Sequence, residues 1–297
     1  DYDESKQDSS DYENKLDDKH FLKKLDEQFK NPEQFLFYLL KCRFLFDTYI
    51  IKREYAREYN QEGKWSLQKL LKYRDEKSKN NKPKYNATFG SVDEEDSEKN
   101  KKLRMLQSCL RITYTAPKTM HWITVILYNL IQSDCKCDLI NLLENYCRTK
   151  VKNSNYKNMS GFGIERIVFT YLDYLLYWLN NKGEIDVGGI NMNAWQFQFR
   201  SSIEHFHPQH SDNAIKWDDK YLNCFGNLAL ITVSGNSKFS NAEPRSKATY
   251  ENIVQQSMKL VIMADLANDE IGWTKEKAIA HGEEMMRILD TDISLID

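Results

Sequence analysis

The 297-residue sequence contains no run of about twenty apolar residues, the length that a helix needs to cross a bilayer. It also lacks the apolar core of a signal peptide near its first residue, and it does not begin with Met. We therefore expect no membrane span and a cytoplasmic location. We also expect the chain to be a processed or excised piece of a longer protein.

Cysteine is present without a pattern. The six cysteines are scattered at positions 42, 109, 135, 137, 147 and 224. Only Cys135 and Cys137 lie close together, and no second pair follows at the spacing of a structural zinc site. This usage is typical of a reduced, cytosolic protein and argues against both a disulfide framework and a zinc finger.

An excess of charge of either sign is missing as well. The 42 basic and 44 acidic side chains give a formal net charge of -2, whereas a protein that binds nucleic acid over its whole surface is usually basic. The acidic residues concentrate at residues 1–18 and 93–96, so the remainder is mildly basic. Any binding of DNA is therefore expected to use a local patch. No Gly-rich loop with Lys-Ser or Lys-Thr is present to cradle nucleotide phosphates.

The N-terminal part of the chain shows mainly helical periodicity. Apolar residues recur at spacings of three and four in residues 19–78, 103–110, 119–133, 138–149 and 164–178. Asn31 and Pro32 are typical of a helix start. We expect an acidic linker or tail at residues 1–18 and a helical domain at residues 19–180. Within that domain, residues 77–102 are charged and poor in apolar side chains, which predicts a mobile loop.

The pattern changes after residue 180. Residues 195–203 alternate apolar and polar side chains, and residues 228–233 are apolar and β-branched, so each segment predicts a strand. Residues 246–265 and 274–290 return to helical spacing. The expected fold class is mainly α, with a small strand–strand–helix unit in a second domain at residues 181–297.

Three of the six histidines fall between these strands, at His205, His207 and His210. Glu204 precedes the first of them, and spaced asparagines follow. Such a set can form a one-metal nuclease site, because oxygen ligands hold a hard divalent cation while an imidazole takes a proton from water. The alternatives are inert surface histidines or a loose zinc or nickel site formed by chance. We interpret His207 and His210 as supporting or DNA-facing residues.

Four segments, taken together, resemble one known nuclease domain: Glu204–Gln209, Gly226–Leu230, Asn236–Asn241 and Lys247–Tyr250. The domain is the His-Me finger (HNH-type) domain in the C-terminal half of GmrSD-like modification-dependent restriction and phage-defence proteins. The resemblance covers residues 195–260 and implies a ββα-metal fold. A weaker similarity to the helical region that precedes this domain covers residues 46–52 and 163–168.

The resemblance implies a role for each matching residue. His205 would be the general base that activates water, and Asn227 would brace the loop by hydrogen bonds to backbone. Glu204 and Asn236 would be the ligands of Mg²⁺ or Mn²⁺.

Double-stranded DNA would be the partner, and its phosphates would be contacted by Lys238, Arg245 and Lys247. The sequence departs from the family pattern in having Glu204 where many HNH enzymes have Asp, and Asn236 where many have a final His. The family's N-terminal, nucleotide-hydrolysing ParB-like domain is not recognisable here. The resemblance therefore implies an upstream sensor domain in the full-length protein.

The sequence thus predicts a metal-dependent DNA endonuclease that nicks or cleaves phosphodiesters in restriction of foreign or phage DNA, as the effector part of a larger protein. The alternative is a catalytically inactive DNA-binding or interaction module of a defence system. A helical scaffold with an incidental histidine loop is the third class.

Overall fold

The computed structural model describes residues 31–54, 63–74, 79–90, 97–210 and 216–296, together with residues 23, 25 and 26. The predicted acidic tail lies outside these described residues.

The chain divides into two compact units, residues 1–47 and residues 48–297. Helix α1 (Pro32–Tyr49) begins where the sequence predicts, because the Asn31 side chain accepts a hydrogen bond from the Gln34 amide at 3.1 Å.

Two antiparallel hairpins follow α1, and they correct the helical prediction for this part of residues 19–78. Strands β1 (Lys52–Glu54) and β2 (Lys64–Ser66) form the first hairpin, and β3 (Gln68–Arg74) and β4 (Asn81–Ala87) form the second. The ladder between two strands satisfies backbone groups that a helix would satisfy locally, and a periodicity count cannot detect such pairing.

The predicted mobile loop at residues 77–102 is also partly wrong. It contains β4 and the first turn of helix α2, which begins at Glu98. The Ser97 side chain caps that helix by accepting a hydrogen bond from the Asn100 amide at 3.2 Å. Residues 75–78 and 91–96 lie outside the described part of the chain, so mobility there stays a prediction.

The longer helices agree with the predicted periodicity within a few residues at each end, and the helical class is confirmed. In chain order the helices are α2 (Glu98–Thr113), α3 (His121–Gln132), α4 (Leu139–Asn153), α5 (Arg166–Asn181), α6 (Asp219–Leu222), α7 (Val233–Phe239), α8 (Pro244–Ala248), α9 (Glu251–Val254), α10 (Met258–Ala267) and α11 (Lys275–Ile293). The single helix predicted at residues 246–265 is in fact split into α8, α9 and α10. Asp173 of α5 explains why α10 begins at Met258. Its carboxylate accepts a hydrogen bond from the Lys259 amide at 3.0 Å, in the first turn of α10.

The third hairpin carries the predicted histidine run. Strand β5 (Ser202–His205) pairs antiparallel with β6 (Leu228–Ile231), so that Glu204 lies opposite Ala229 and His205 opposite Leu228. The predicted strand at residues 195–203 is confirmed only at its end. Before it, Phe197 is buried and Trp195 packs against the Tyr177 ring at 5.9 Å between centroids, whereas Phe199 is exposed.

Helix α5 lies at the centre of the second unit. It packs against α2 and α4, which precede it in the chain, and against β6, α10 and α11, which follow it. The predicted domain boundary at residue 180 falls at the C-terminal end of α5, and it stays a prediction. None of the helices in the described residues is long and apolar enough to cross a membrane.

Candidate functional site

Glu204 and His205 end strand β5 with their side chains in different surroundings. The Glu204 carboxylate meets the ammonium of Lys247, with Oε1 and Nζ 2.6 Å apart. The His205 ring meets Asn223, with Nε2 and Oδ1 2.8 Å apart. Adjacent strand residues face opposite sides of a sheet, and this pair follows that rule. Both side chains are largely buried, with His205 5% exposed.

Lys247 links these two residues from helix α8. Its Nζ donates to Glu204 Oε1 and to the His205 carbonyl oxygen, each at 2.6 Å. Burial is the main cause of both pKa shifts: it raises the pKa of the Glu204 carboxyl and lowers the pKa of the Lys247 amine, while the charge of each partner opposes the shift. The ion pair thus holds the end of β5 against α8.

Lys247 is 0% exposed, which corrects its predicted role as a phosphate contact. A duplex cannot reach an ammonium that is enclosed by protein and has two acceptors. Arg245, two residues earlier, is exposed, but its guanidinium donates to the carbonyls of Asp269 and Glu270. Of the three predicted DNA contacts, Lys238 is exposed on α7.

The His205 ring lies in a polar and aromatic setting. Burial is the largest cause of the lowered pKa of His205; the nearby Lys247 charge lowers it further, and the Asn223 hydrogen bond raises it. The edge of Phe162 meets the ring at 5.4 Å between centroids and 86° between planes. The imidazole is therefore neutral near pH 7, as a proton acceptor must be.

A tight loop supports Asn223 from the other side. Gly161 has φ of 55° and donates its amide to the Asn223 carbonyl at 2.9 Å. A Cβ on Gly161 would lie 3.1 Å from Asn223 Oδ1, the atom that binds His205. Glycine is needed here for its left-handed backbone and for this close approach.

Asn227 braces the histidine run by backbone contacts, in the geometry that the resemblance implies. Its Oδ1 accepts from the His207 amide at 2.8 Å, and its Nδ2 donates to the carbonyls of His207 and Leu222. The Trp273 indole also donates to Oδ1, at 3.0 Å. Asn227 is fully buried, so these bonds hold the turn after β5 rather than contact a substrate.

Asn236 lies on α7, the short helix that directly follows β6 and packs against β5. Its side chain is half-buried and makes no hydrogen bond within the described residues. The order β5, β6, α7 thus places the Asn236 side-chain amide on a helix that packs against the strand carrying Glu204.

The other histidines of the run have separate environments. His207 is buried and stacks on Trp217 at 4.0 Å, whereas His210 is exposed. Across the described ranges, no three His, Cys, Asp or Glu side chains converge where they could hold a metal ion. The arrangement gives no support to a zinc or nickel site formed by histidines alone.

Sequence reasoning missed Asn223, Trp273 and the loop at Gly161–Gly163. Asn223 precedes Asn227 by four residues, but nothing in that spacing points to His205. The glycines were recognised only as a break in helical periodicity. A glycine on each side of Phe162 was the one signal of an unusual turn.

Residues 149–288 match the family model described as the C-terminal domain of GmrSD restriction endonucleases. This segment of the chain is similar to that family. The matched segment begins within α4, ends within α11, and includes the Gly161 loop and the β5–β6 hairpin. Neither the comparison with curated proteins nor the comparison with solved structures finds a match to this chain.

Proposed function

We propose that the chain is a metal-dependent DNA endonuclease of the HNH type that acts in restriction of foreign or phage DNA, with His205 as its general base. The observation that carries the proposal is the His205–Asn223 contact of 2.8 Å, at a strand end within a domain that matches a restriction endonuclease family. Double-stranded DNA is the proposed substrate, which is nicked or cut through both strands.

Asn223 determines which nitrogen of His205 accepts a proton. An amide oxygen can only accept a hydrogen bond, so His205 Nε2 carries the hydrogen and Nδ1 keeps its lone pair. The lowered pKa keeps this tautomer neutral at physiological pH. A neutral imidazole with a defined free nitrogen is suited to deprotonate water.

The proposed step is hydrolysis of one phosphodiester. The oxygen of a water molecule attacks phosphorus while His205 Nδ1 takes the proton of that water. The bond from phosphorus to the leaving oxygen breaks, and solvent returns a proton to that oxygen. The imidazolium then releases its proton to solvent, so the enzyme returns to its starting state.

Glu204 and Asn236 fit a hydrated hard cation as oxygen ligands. Glu204 Oε1 is engaged by Lys247, but no hydrogen bond to Oε2 or to the Asn236 amide occurs within the described residues. One carboxylate, one amide and several waters suit Mg²⁺ or Mn²⁺. When bound, such a cation stabilises negative charge on the phosphoryl and leaving oxygens.

The test is cleavage of supercoiled plasmid by the purified chain with Mg²⁺, with Mn²⁺ and with a chelator. We expect nicked or linear DNA only with metal, and we expect His205→Ala to lower the rate by about 10²- to 10⁴-fold, the usual contribution of a general base. His121→Ala is the control, because His121 begins α3 and lies outside the histidine run. Full activity of a folded His205→Ala protein would remove His205 from the mechanism.

The metal assignment is tested by titration. Glu204→Gln and Asn236→Ala should each raise the metal concentration needed for half-maximal cleavage, because each weakens one oxygen ligand. Ser237→Ala is the control on the same helix, since the Ser237 hydroxyl donates to the Val233 carbonyl and lies outside the proposed ligand set. Superimposable titrations for all variants would contradict the ligand set.

A second candidate is an inactive DNA-binding or interaction module. The Lys247 ammonium at 2.6 Å from Glu204 favours it, because the carboxylate charge is already balanced by protein. This reading predicts DNA binding without cleavage under any of the metal conditions above.

The upstream nucleotide-hydrolysing sensor implied by the family resemblance is part of the same proposal. Calorimetry with GTP and ATP should show no binding to this chain itself. Micromolar affinity for either nucleotide would contradict the assignment of nucleotide hydrolysis to a separate upstream domain.

A further inference from the structure

A second site of positive charge lies apart from the catalytic residues. A cavity of about 60 Å³ opens between strand β2, helix α2 and residues 193–197, and Lys64, Lys101 and Arg104 line it. We name it the α2 cleft. Among the described residues, its lining contains no aspartate or glutamate. The like charges of Lys64 and Lys101 at one small cavity repel one another, and a bound anion would reduce that repulsion.

The two lysines of the α2 cleft are available to a ligand. Neither Lys64 nor Lys101 forms an ion pair within the described residues, and Lys101 contacts the face of Tyr177 at 5.3 Å. Lys64 is exposed and Lys101 is half-buried. Among the described residues, their ammonium groups have no salt bridge that would have to break before they donate to an anion.

The walls of the cleft are held in place by hydrogen bonds. The Trp195 indole donates to the Gln255 carbonyl at 2.8 Å, and the Trp65 indole donates to the Phe197 carbonyl at 2.6 Å. The Gln196 amide donates to the Gly63 carbonyl at 3.2 Å. A preorganised cavity loses little conformational entropy when it binds a ligand.

The size of the cavity fits a phosphate group. A single water needs roughly 10–15 Å³ of such space, so the cavity takes on the order of four oxygen-sized atoms. A phosphodiester has two ester oxygens and two non-bridging oxygens that share one negative charge, and this charge complements the lysines of the lining.

The cleft is also connected to the catalytic strand. Phe197 of its wall precedes His205 by eight residues, and the intervening segment runs directly into β5. Eight extended residues span at most about 28 Å. One turn of a DNA duplex is about 34 Å long, so one bound duplex can reach both places.

We propose that the α2 cleft binds a backbone phosphate of the DNA that is cleaved at His205, within one helical turn of the scissile bond. The proposal rests on the proposed nuclease function, because it assigns a second contact to the same substrate. It also explains how a chain with a net charge of -2 holds a polyanion through a local patch.

The experiment measures duplex binding by fluorescence anisotropy in the His205→Ala background, which separates binding from cleavage. The triple variant Lys64→Gln, Lys101→Gln, Arg104→Gln should bind roughly 10-fold more weakly at moderate salt, and each lost contact should reduce the log–log salt slope by about 0.9. The control is Lys118→Gln with Lys136→Gln, which neutralises two exposed lysines outside the cleft. Thermal unfolding checks that each variant is folded.

Three outcomes would overturn the proposal: unchanged affinity and slope in the triple variant, an equal loss in the control, or binding of a labelled nucleoside triphosphate that depends on the cleft while duplex binding does not. A separate result would contradict the proposed function: a wild-type protein that does not cleave plasmid with either Mg²⁺ or Mn²⁺. Cleft-dependent DNA binding without cleavage would therefore support the cleft and the inactive-module candidate together.

Discussion

At the residue scale, the proposed general base His205 has a hydrogen-bond partner, Asn223, that lies outside the recognisable motif. Asn223 accepts the Nε2 hydrogen at 2.8 Å, and its amide carries no charge. Because this partner is an amide rather than a carboxylate, it affects the pKa of His205 less than a charged partner would. A neutral acceptor orients the ring while adding little to its basicity, so the lowered pKa that burial causes is retained.

We predict that Asn223→Asp moves the acid limb of the cleavage pH profile upward. A carboxylate in this position favours the imidazolium and should raise the pKa of His205. If the neutral ring is the base, as proposed, activity should then appear only at higher pH. Asn223→Ala should instead lower the rate by roughly 10-fold through loss of orientation, with no upward shift.

Measuring kcat from pH 5 to 9 distinguishes these effects. Asn153→Asp adds the same charge at an exposed asparagine of α4 and serves as the control. If Asn223→Asp has the wild-type profile, Asn223 does not position the base.

Lys247 is the clearest case of a cation whose role depends on burial. It is 0% exposed, and its ammonium bonds both Glu204 and the backbone of His205. Removing one member of a buried ion pair leaves the other charge without compensation, which is worse than removing both.

We predict that Lys247→Met lowers the free energy of unfolding by about 3–5 kcal/mol at pH 7. The double variant with Glu204→Gln should lose less, because no unpaired carboxylate remains. Urea titration measures both, and Lys238→Met, exposed on α7, should stay within about 0.5 kcal/mol of wild type. A Lys247→Met protein of full stability and weakened DNA binding would instead restore the predicted phosphate contact.

At the element scale, the Gly161–Gly163 loop contacts the proposed general base His205 and its partner Asn223 from outside the hairpin. The loop meets His205 through Phe162 and Asn223 through Gly161. It precedes β5 by about forty residues, so the loop and the strand come together only through the fold.

Gly161→Ala should therefore reduce cleavage in the manner of Asn223→Ala. The new Cβ would lie 3.1 Å from Asn223 Oδ1, and the left-handed backbone costs alanine about 1–2 kcal/mol. Gly163→Ala is a matched control in the same loop, because its Cβ would meet only the Met159 sulfur, at an ordinary 3.9 Å. Equal rates for the two alanine variants would show that the loop does not position Asn223.

At the scale of the whole molecule, the matched family segment is smaller than the compact unit that contains it. Residues 149–288 stop short of Asp292, whose carboxylate binds Arg148 at two distances of 3.0 Å and accepts from Tyr171 at 2.8 Å. Arg148 also lies outside the segment. The cluster joins α4, α5 and α11 around buried polar groups.

We predict that a fragment of residues 149–288 does not unfold cooperatively, whereas residues 48–297 do. Breaking a buried pair costs about 3–5 kcal/mol, which is a large part of the roughly 5–15 kcal/mol that stabilises a domain. The fragment also exposes the face of α5 that packs against α2. Thermal unfolding followed by circular dichroism measures this, and a sharp transition for residues 149–288 would show that the segment is self-sufficient.

Local pattern was enough to predict some elements of this protein. The spacing of apolar residues located α2 to α5, β6 and α11, because a helix or strand that buries one face imposes its period on the sequence. The family resemblance, not the local pattern, implied the backbone hydrogen bonds of Asn227, whose partners lie within about twenty residues of it. Such features depend on neighbours along the chain.

The tertiary structure alone decided which groups became partners. Lys247 looked like a surface cation and is a buried ion-pair partner of Glu204, 43 residues away. Asn223 had no sequence signal and holds His205, while the β1–β2 and β3–β4 hairpins replaced a predicted helix. Burial, pairing and pKa depend on which atoms the fold encloses together, and the charge or spacing of a residue in the sequence does not contain that information.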